Sequence, residues 1–176
     1  MASKPPITPT KAAAGGAAAA VAAMLAIATP FVAGWEGLRT TPYRDSVNVL
    51  TVCIGETNVP MRKYTEAECH RMFDKSFMTY ANRVKHHSPG IEDSPYEWAA
   101  HSSLAYNIGT GAYGRSSPSR LFNAGRRVEA CRSFSLWNKA GGRVLPGLQY
   151  RRDGQGRRIG EREICLAGAV PAELEN

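Results

Sequence analysis

Glu36, Asp45 and Thr51 are the residues of this 176-residue chain whose types and spacing could do chemistry together: a Glu, an Asp nine positions on, and a Thr six positions after that. Two carboxylates and a hydroxyl gathered in one cleft can hydrolyse a glycosidic bond. One carboxyl, kept protonated, donates to the leaving oxygen, while the other, ionised, activates or orients a water on the opposite face of the sugar. A Thr hydroxyl both donates and accepts, so it can hold that water. Taken alone, the three residues describe a helix end followed by a hairpin with ordinary surface charges better than they describe a site.

Length and composition bound what can surround them. The chain has room for one domain of ordinary size plus an appendage. With 22 Lys+Arg against 15 Asp+Glu it carries a net charge of +7 and a pI near 9.5. That balance favours an anionic partner: nucleic acid, an anionic membrane face or a bacterial cell wall. Of the arginine doublets Arg126-Arg127, Arg151-Arg152 and Arg157-Arg158, one adjoins an aromatic, Tyr150. That falls short of a base-stacking platform, so nucleic acid is not expected as a partner. The four cysteines, Cys53, Cys69, Cys131 and Cys165, lack the paired spacing of a zinc site. In an exported chain an even number suggests two disulfides; in a cytosolic one the same residues would be core thiols. His70, His86, His87 and His101 are not spaced as metal ligands either and read as exposed or core residues.

The elements that must position the three residues begin with an apolar run. From Ala12 to Trp35 there is no charge. The run is long enough for a bilayer, which takes about 20 residues. Ala and Gly dominate it, and only Val21, Met24, Leu25, Ile27, Phe31 and Val32 are strongly apolar, so it should hold a membrane weakly. Lys4 and Lys11 ahead of it favour an N-terminus inside and the rest of the chain outside. Three readings compete: a cleavable signal peptide cut after Ala26-Ile27-Ala28, a permanent anchor, and a weak anchor that later leaves the membrane. The third is physically feasible, because an Ala-rich helix is also stable in water. All three deliver the domain to an oxidising compartment. Pro30 after Thr29 suits the first position of a helix that Gly37 would end, which sets Glu36 directly behind the apolar run.

Val47, Val49 and Thr51-Val52-Cys53-Ile54 predict a strand pair over 43–55 with Asn48 at the turn. Thr65-Glu66-Ala67-Glu68 is a capping box opening a helix to about Val84, with Cys69, Met72, Phe73 and Phe77 on one stripe. Ser88-Pro89-Gly90 breaks the chain before a second lobe. Ser94-Pro95-Tyr96-Glu97 caps a helix that stops near Gly109. The glycine-rich stretch 109–114 lacks the Gly-Lys-Ser/Thr end of a phosphate loop and reads as a connector. A short helix from Ser117-Pro118 to Gly125, with Ser119 facing a cleft, precedes an amphipathic helix over 127–137. A closing helix over 158–166 and a tail frayed from Ala167 end the chain.

The neighbours of the three residues point to one family. Phe31-Val32-Ala33-Gly34-Trp35-Glu36-Gly37-Leu38, Tyr43-Arg44-Asp45 and Thr51-Val52-Cys53-Ile54-Gly55 closely resemble the phage-type lysozymes, the endolysins of glycoside hydrolase family 24. That family carries a Glu, eight residues, an Asp or Cys, five residues and a Thr, and the spacing here fits without a gap. Trp137-Asn138-Lys139-Ala140-Gly141-Gly142-Arg143-Val144-Leu145-Pro146-Gly147-Leu148 is a second long match, and Tyr106-Asn107-Ile108-Gly109 resembles the family's Tyr-Asn-Val-Gly motif.

The resemblance covers roughly residues 29–168. It implies an α+β, mainly helical fold: a small lobe over about 36–90 containing a β-hairpin, a larger helical lobe over about 91–168, and the active-site cleft between them. A tail over 1–11 would precede a signal-anchor segment over 12–35 of the signal-anchor-release type that many relatives carry, and 169–176 would be a loose tail. The implied reaction is a muramidase's: hydrolysis of the β-1,4 bond between N-acetylmuramic acid and N-acetylglucosamine in peptidoglycan, in host cell lysis. Glu36 would be the general acid, its pKa raised by partial burial near Trp35. Asp45 would activate or position the water and Thr51 would orient it. Tyr106, Asn107 and Ser119 would contact sugar. Inversion is typical of relatives, and a carboxyl separation of about 6.5–9.5 Å fits inversion where about 5–5.5 Å fits retention.

The chain would act as a monomer on peptidoglycan without metal or cofactor, held at the bacterial inner membrane before release into the periplasm. Of three possible disulfide connectivities, Cys53–Cys69 within the small lobe and Cys131–Cys165 joining two helices of the large lobe are expected. Some relatives are inhibited by an anchor Cys that traps a catalytic Cys; this anchor has none and position 45 is Asp, which excludes that device. Two departures stand out. The family's Gly-His-Thr reads Gly55-Glu56-Thr57, which puts local ion pairing in doubt. An insertion within 149–158 leaves either Arg151-Arg152 or Arg157-Arg158 for the family's Arg pair. A wall-binding or tail-associated structural protein of the same fold without activity is the alternative, and the intact Glu36, Asp45 and Thr51 argue against it.

Overall fold

The computed structural model of the chain describes residues 16–45 and 48–174. The expected tail over 1–11, the start of the apolar run and Val47 of the hairpin lie outside the described residues.

Helix α1 spans Ala17–Glu36. Alanine, the best helix former, fills its first half. The helix does not begin at Pro30, as expected, but runs through it. Pro30 has no N–H to offer the Ala26 carbonyl, and both residues are exposed, so water can take that carbonyl. Gly37 ends the helix at φ 84°, a conformation that suits glycine, with its N–H on the Ala33 carbonyl at 2.9 Å. The apolar run is two-faced in the fold. Met24, Ala28, Thr29, Phe31 and Val32 are buried, while Ala22, Ala26, Pro30 and Gly34 form an exposed stripe of small residues. By length and composition alone the helix could also cross a membrane.

Strands β1 (Arg39–Arg44) and β2 (Leu50–Cys53) form an antiparallel hairpin with Tyr43 opposite Thr51 and Arg44 opposite Leu50. Cys53 (φ 60°) and Gly55 (φ 84°) turn the chain back so that Val52 and Glu56 exchange backbone hydrogen bonds of 2.9 Å. Val52, Cys53, Tyr64 and Cys69 make a small core under the hairpin. There the Cys53–Cys69 disulfide fixes β2 to the first turn of α2 (Glu66–His87). The capping box at Thr65 and Glu68 is present as the sequence predicts.

Helix α3 (Pro95–Ile108) is the centre of the large lobe, packed by α1, α2 and the last helix. Nearly every side chain from Glu97 to Ala105 is buried, polar ones included. Burying such groups is costly unless each is paired. Glu97 pairs with Arg127, and Ser103 donates to Glu161 at 2.6 Å. His101 Nδ1 lies 2.8 Å from the Tyr113 hydroxyl, which meets Ser88 Oγ at 2.8 Å. The rings of Tyr113, Phe122 and Phe134 surround His101 edge-on.

Beyond α3 the chain departs from the expected plan in several places. The glycine-rich connector contains a helical turn, α4 (Thr110–Gly114). After α5 (Ser117–Asn123), the expected long helix is α6 (Arg127–Arg132) followed by a 3-10 turn over Ser133–Leu136. Strands β3 (Lys139–Ala140) and β4 (Arg143–Val144) form a hairpin absent from the expected plan. Its two-residue turn is Gly141-Gly142, with φ of 55° and 76°, the type that matches strand twist. Helix α7 (Pro146–Asp153) leads to α8 (Glu161–Leu174), which continues through the stretch expected to fray from Ala167. Ala169 is buried, and a Cβ on Gly168 would collide with Ser94 Oγ, so α8 approaches α3 at small-residue distance. The Cys131–Cys165 disulfide joins α6 to α8.

Burial, with the nearby Arg127 charge, lowers the His101 pKa to about 3 from its ordinary 6.5. The unfolded chain therefore binds the extra proton. His101's contribution to stability is complete above pH 6.5 and is lost progressively as the pH falls toward 3. Urea unfolding across that window should show a falling midpoint, with a shallower fall in His101→Phe. Parallel slopes in the two proteins would contradict this assignment.

Candidate active site

Glu36 is the last residue of α1, so the helix end fixes where its carboxylate can reach. Its side chain is 33% exposed, and Arg151 from α7 donates from Nη1 to Oε1. Arg151 is buried and committed on three sides: Nε to Glu161 Oε1 at 3.1 Å, Nη2 to Ser103 Oγ at 3.3 Å, and Glu36. Arg152 is fully buried beside it. It reaches Glu161 Oε2 at 2.5 Å, Asn107 Oδ1 at 2.5 Å and the Trp137 carbonyl at 3.0 Å. Glu161, at the start of α8, is 0% exposed, and its charge is tolerable there because two guanidinium groups and the Ser103 hydroxyl satisfy it. Desolvation works against the Arg151 cation, but Glu161 and Glu36 together outweigh it and hold its pKa above the ordinary value. For Arg152 desolvation is the larger effect and the pKa is lowered.

The hairpin carries the other two residues of the expected site. Asp45 follows β1, its N–H on the Val49 carbonyl at 3.0 Å and its Oδ1 accepting the Val49 N–H at 2.8 Å. Thr51 Oγ1 donates to the same Val49 carbonyl at 3.1 Å. With Tyr43 opposite Thr51 and Asp45 bonded to Val49, Asp45 and Thr51 fall on one face of the hairpin as diagonal neighbours. Thr51 is 3% exposed, so a water held by it would be sheltered from bulk solvent.

Tyr106 stands at the junction of the lobes. Its ring packs against Phe73, Phe77 and Tyr80, and its hydroxyl is 3.5 Å from the Ile54 carbonyl. Burial, with the negative charges of Glu36 and Glu56, raises its pKa to about 12. Asn107 is exposed, one oxygen committed to Arg152. Ser119 is a correction. It is 1% exposed and faces inward to Ser88 Oγ at 3.3 Å, because the Ser116 cap turns the start of α5 toward the end of α2.

Trp35 stands beside Glu36 in the chain at the end of α1. Its ring meets Phe31 at 6.4 Å and carries the Arg158 guanidinium at 4.0 Å, while the carboxylate faces a cation. Glu56, which replaces the family His, accepts from Ser76 Oγ at 2.8 Å. The two Arg pairs differ in burial: Arg151 and Arg152 are interior, Arg157 and Arg158 exposed. Sequence reasoning missed Ser103, Glu161 and the Val49 backbone. A Ser inside an otherwise apolar helix, such as Ser103 among Ala99, Ala100 and Leu104, was the available sign of a buried partner. Glu97, Cys131 and Cys165 lie close enough for a metal, but the cysteines are bonded to each other and Glu97 to Arg127.

Residues 33–155 match the phage lysozyme family. Over 162 residues the chain is 37% identical to the SAR-endolysin of Bacteriophage PS119, covering 89% of this chain and 92% of that protein. It is 38% identical to the SAR-endolysin of Enterobacteria phage P21, covering 89% and 93%. Among solved structures, the active form of the P1 phage endolysin Lyz aligns with a TM-score of 0.67 at 22% identity, over 84% of this chain and 94% of that one. A P22 lysozyme mutant aligns with a TM-score of 0.68 at 24% identity, over 79% and 94%.

Glu161→Gln keeps the shape of the buried network and removes the charge between its two arginines. Uncovering buried charge in this way typically costs about 3–5 kcal/mol. Denaturant unfolding should register a loss of that order. A change below about 1 kcal/mol, the scale of an exposed pair, would mean that the network is wetter than its burial indicates.

Proposed function

The chain belongs to the phage lysozyme family and is a glycoside hydrolase, a muramidase of host lysis; from that premise we propose how its residues divide the reaction. Glu36 is the general acid. Arg151 holds Oε1, and the other carboxyl oxygen delivers a proton to the glycosidic oxygen of a peptidoglycan strand lying between the end of α1 and the hairpin. Asp45, steadied by the Val49 N–H, takes a proton from water as that water attacks the anomeric carbon. Thr51 gives its own hydrogen to the Val49 carbonyl, so its lone pairs accept from the water and fix its orientation. The carbon–oxygen bond breaks with inversion, one sugar leaving as an alcohol and the other gaining the water's oxygen. The Tyr106 hydroxyl and the Asn107 amide are the sugar contacts. The observation that carries this reading is the division of support: one rigid anchor, Val49, serves the water side and another, Arg151, serves the acid.

The N-terminal helix extends the proposal to control. SAR-endolysin is the name of the relatives, and α1 is apolar and long enough to sit in a bilayer. The same helix contributes Met24, Ala28, Phe31 and Val32 to the core. It cannot occupy both places at once. While α1 is embedded, Glu36 stands at the membrane surface, away from Arg151 and the hairpin. Leaving the bilayer and packing against α2 and α3 then completes the site. The small-residue stripe at Ala22, Ala26, Pro30 and Gly34 supports this, since it leaves little apolar area in water once the helix has packed.

Two experiments check these statements. Glu36→Gln should slow clearing of purified cell walls by about 10²–10⁴-fold, the usual contribution of a general acid, and clearing at the wild-type rate would remove Glu36 from that role. Membrane and soluble fractions of the full chain, each assayed and N-terminally sequenced, should show activity confined to the soluble fraction with an uncut N-terminus. Equal specific activity in both fractions would defeat activation by release.

A further inference from the structure

The stretch between α7 and α8 does more than connect them. Gln155 and Arg158 bridge to each other through backbone bonds of 2.9 and 3.0 Å, forming a tight exposed turn. That turn lies against the outer side of α1. Arg158 places its guanidinium 4.0 Å from the Trp35 ring centroid and donates from Nη2 to the Gly34 carbonyl. Gly34 is in the last turn of α1, where carbonyls lack partners within the helix. The helix carries no basic residue of its own in that turn. A cation near a helix C-terminus is stabilising, and a cation over an indole adds to it. Arg158 therefore supplies from outside what α1 lacks. Trp35 passes the contact inward to Phe31 at 6.4 Å, and a surface groove of about 420 Å³ between Ala26, Ile27, Pro30, Phe31, Ile159 and Ile164 marks where the two segments otherwise meet loosely.

We infer that Arg158 is a latch on the packed state of α1 and a positioning residue for Glu36. One segment of chain grips the last turn of α1 twice. Arg151 holds the Glu36 carboxylate, and Arg158 holds the two residues just before it. Arg151 makes its contact from the buried network. Arg158 adds an exposed, separable one that acts on the helix backbone and the neighbouring side chain. Loss of the latch lets the last turn fray, which misplaces Glu36 without altering the sugar-binding walls. It also lowers the preference of α1 for the packed state over the bilayer. The inference rests on Glu36 as the general acid.

Arg158→Ala is compared with wild type, Arg158→Lys and, as a control for surface charge, Arg157→Ala. The expected result for Arg158→Ala is a drop in kcat of about tenfold at unchanged KM, together with a larger membrane-bound share of the full chain. Arg158→Lys keeps the charge but not the flat stack and should fall between. Arg157→Ala should match wild type. Trp35→Leu combined with Arg158→Ala should be no worse than the weaker single variant. Wild-type kcat and partition in Arg158→Ala would overturn the latch, and so would an equal loss in Arg157→Ala. A raised KM at unchanged kcat would overturn it too, making Arg158 a substrate contact. Glu36→Gln assayed alongside separates the two claims: if it retains activity the acid assignment fails, whereas if it is inactive and Arg158→Ala is normal only the latch fails.

Discussion

The buried carboxylate of Glu161 is the constraint on which the cleft depends. Two guanidinium groups side by side in an interior repel each other and lose their hydration. Glu161 between them removes the first problem and, with Ser103, Asn107 and the Trp137 carbonyl, much of the second. The result is a rigid junction of α1, α3, α7 and α8 in which each polar group is held by groups from other elements. The carboxylate of Glu36 is attached to this junction from the solvent side. Its position is therefore a property of the large lobe, although its residue ends the first helix.

The opposite wall is built on another principle. The hairpin has few strand pairs and, among the described residues, two exposed apolar ones, Val49 and Leu50, near its tip. Its fixity comes from a covalent tie, Cys53–Cys69, and from the Val49 backbone, which holds Asp45 and Thr51 at once. Tyr106 mediates between the walls, its ring among the aromatics of α2 and its hydroxyl near the Ile54 carbonyl. One wall is set by ionic interactions in a dry interior, the other by a buried cross-link beneath the hairpin.

Much of this is legible locally. The capping box at Thr65 and Glu68, the Pro95 start of α3 and the glycine after Glu36 are signals of a few neighbouring residues, and their elements form where those signals stand. The spacing of Glu36, Asp45 and Thr51 also reflects local geometry, a helix end and one hairpin. The illegible features depend on tertiary contact. Arg151-Arg152 and Arg157-Arg158 are equivalent as sequence, and only the buried Glu161 distinguishes them. Ser119 reads as a cleft residue because serine is polar, yet its cap turns it inward. Pro30 reads as a start because Pro favours first positions, yet the alanines before it and the core beneath carry the helix across it. The last helix reads as shorter than it is because its end is small and weakly apolar; close packing of Gly168 on α3 holds it.

The ion pair between Arg151 and Glu36 joins residues 115 positions apart. A ribosome delivers Glu36 early and Arg151 late, with Glu161 and Cys165 later still. The hairpin and its disulfide can close when less than half the chain exists. The Glu36 carboxylate, by contrast, gains its Arg151 partner only when nearly all of it does. Assembly thus has an order in which the earliest-made part of the cleft is the last to be set, and a truncated or stalled chain carries Glu36 without the means to aim it.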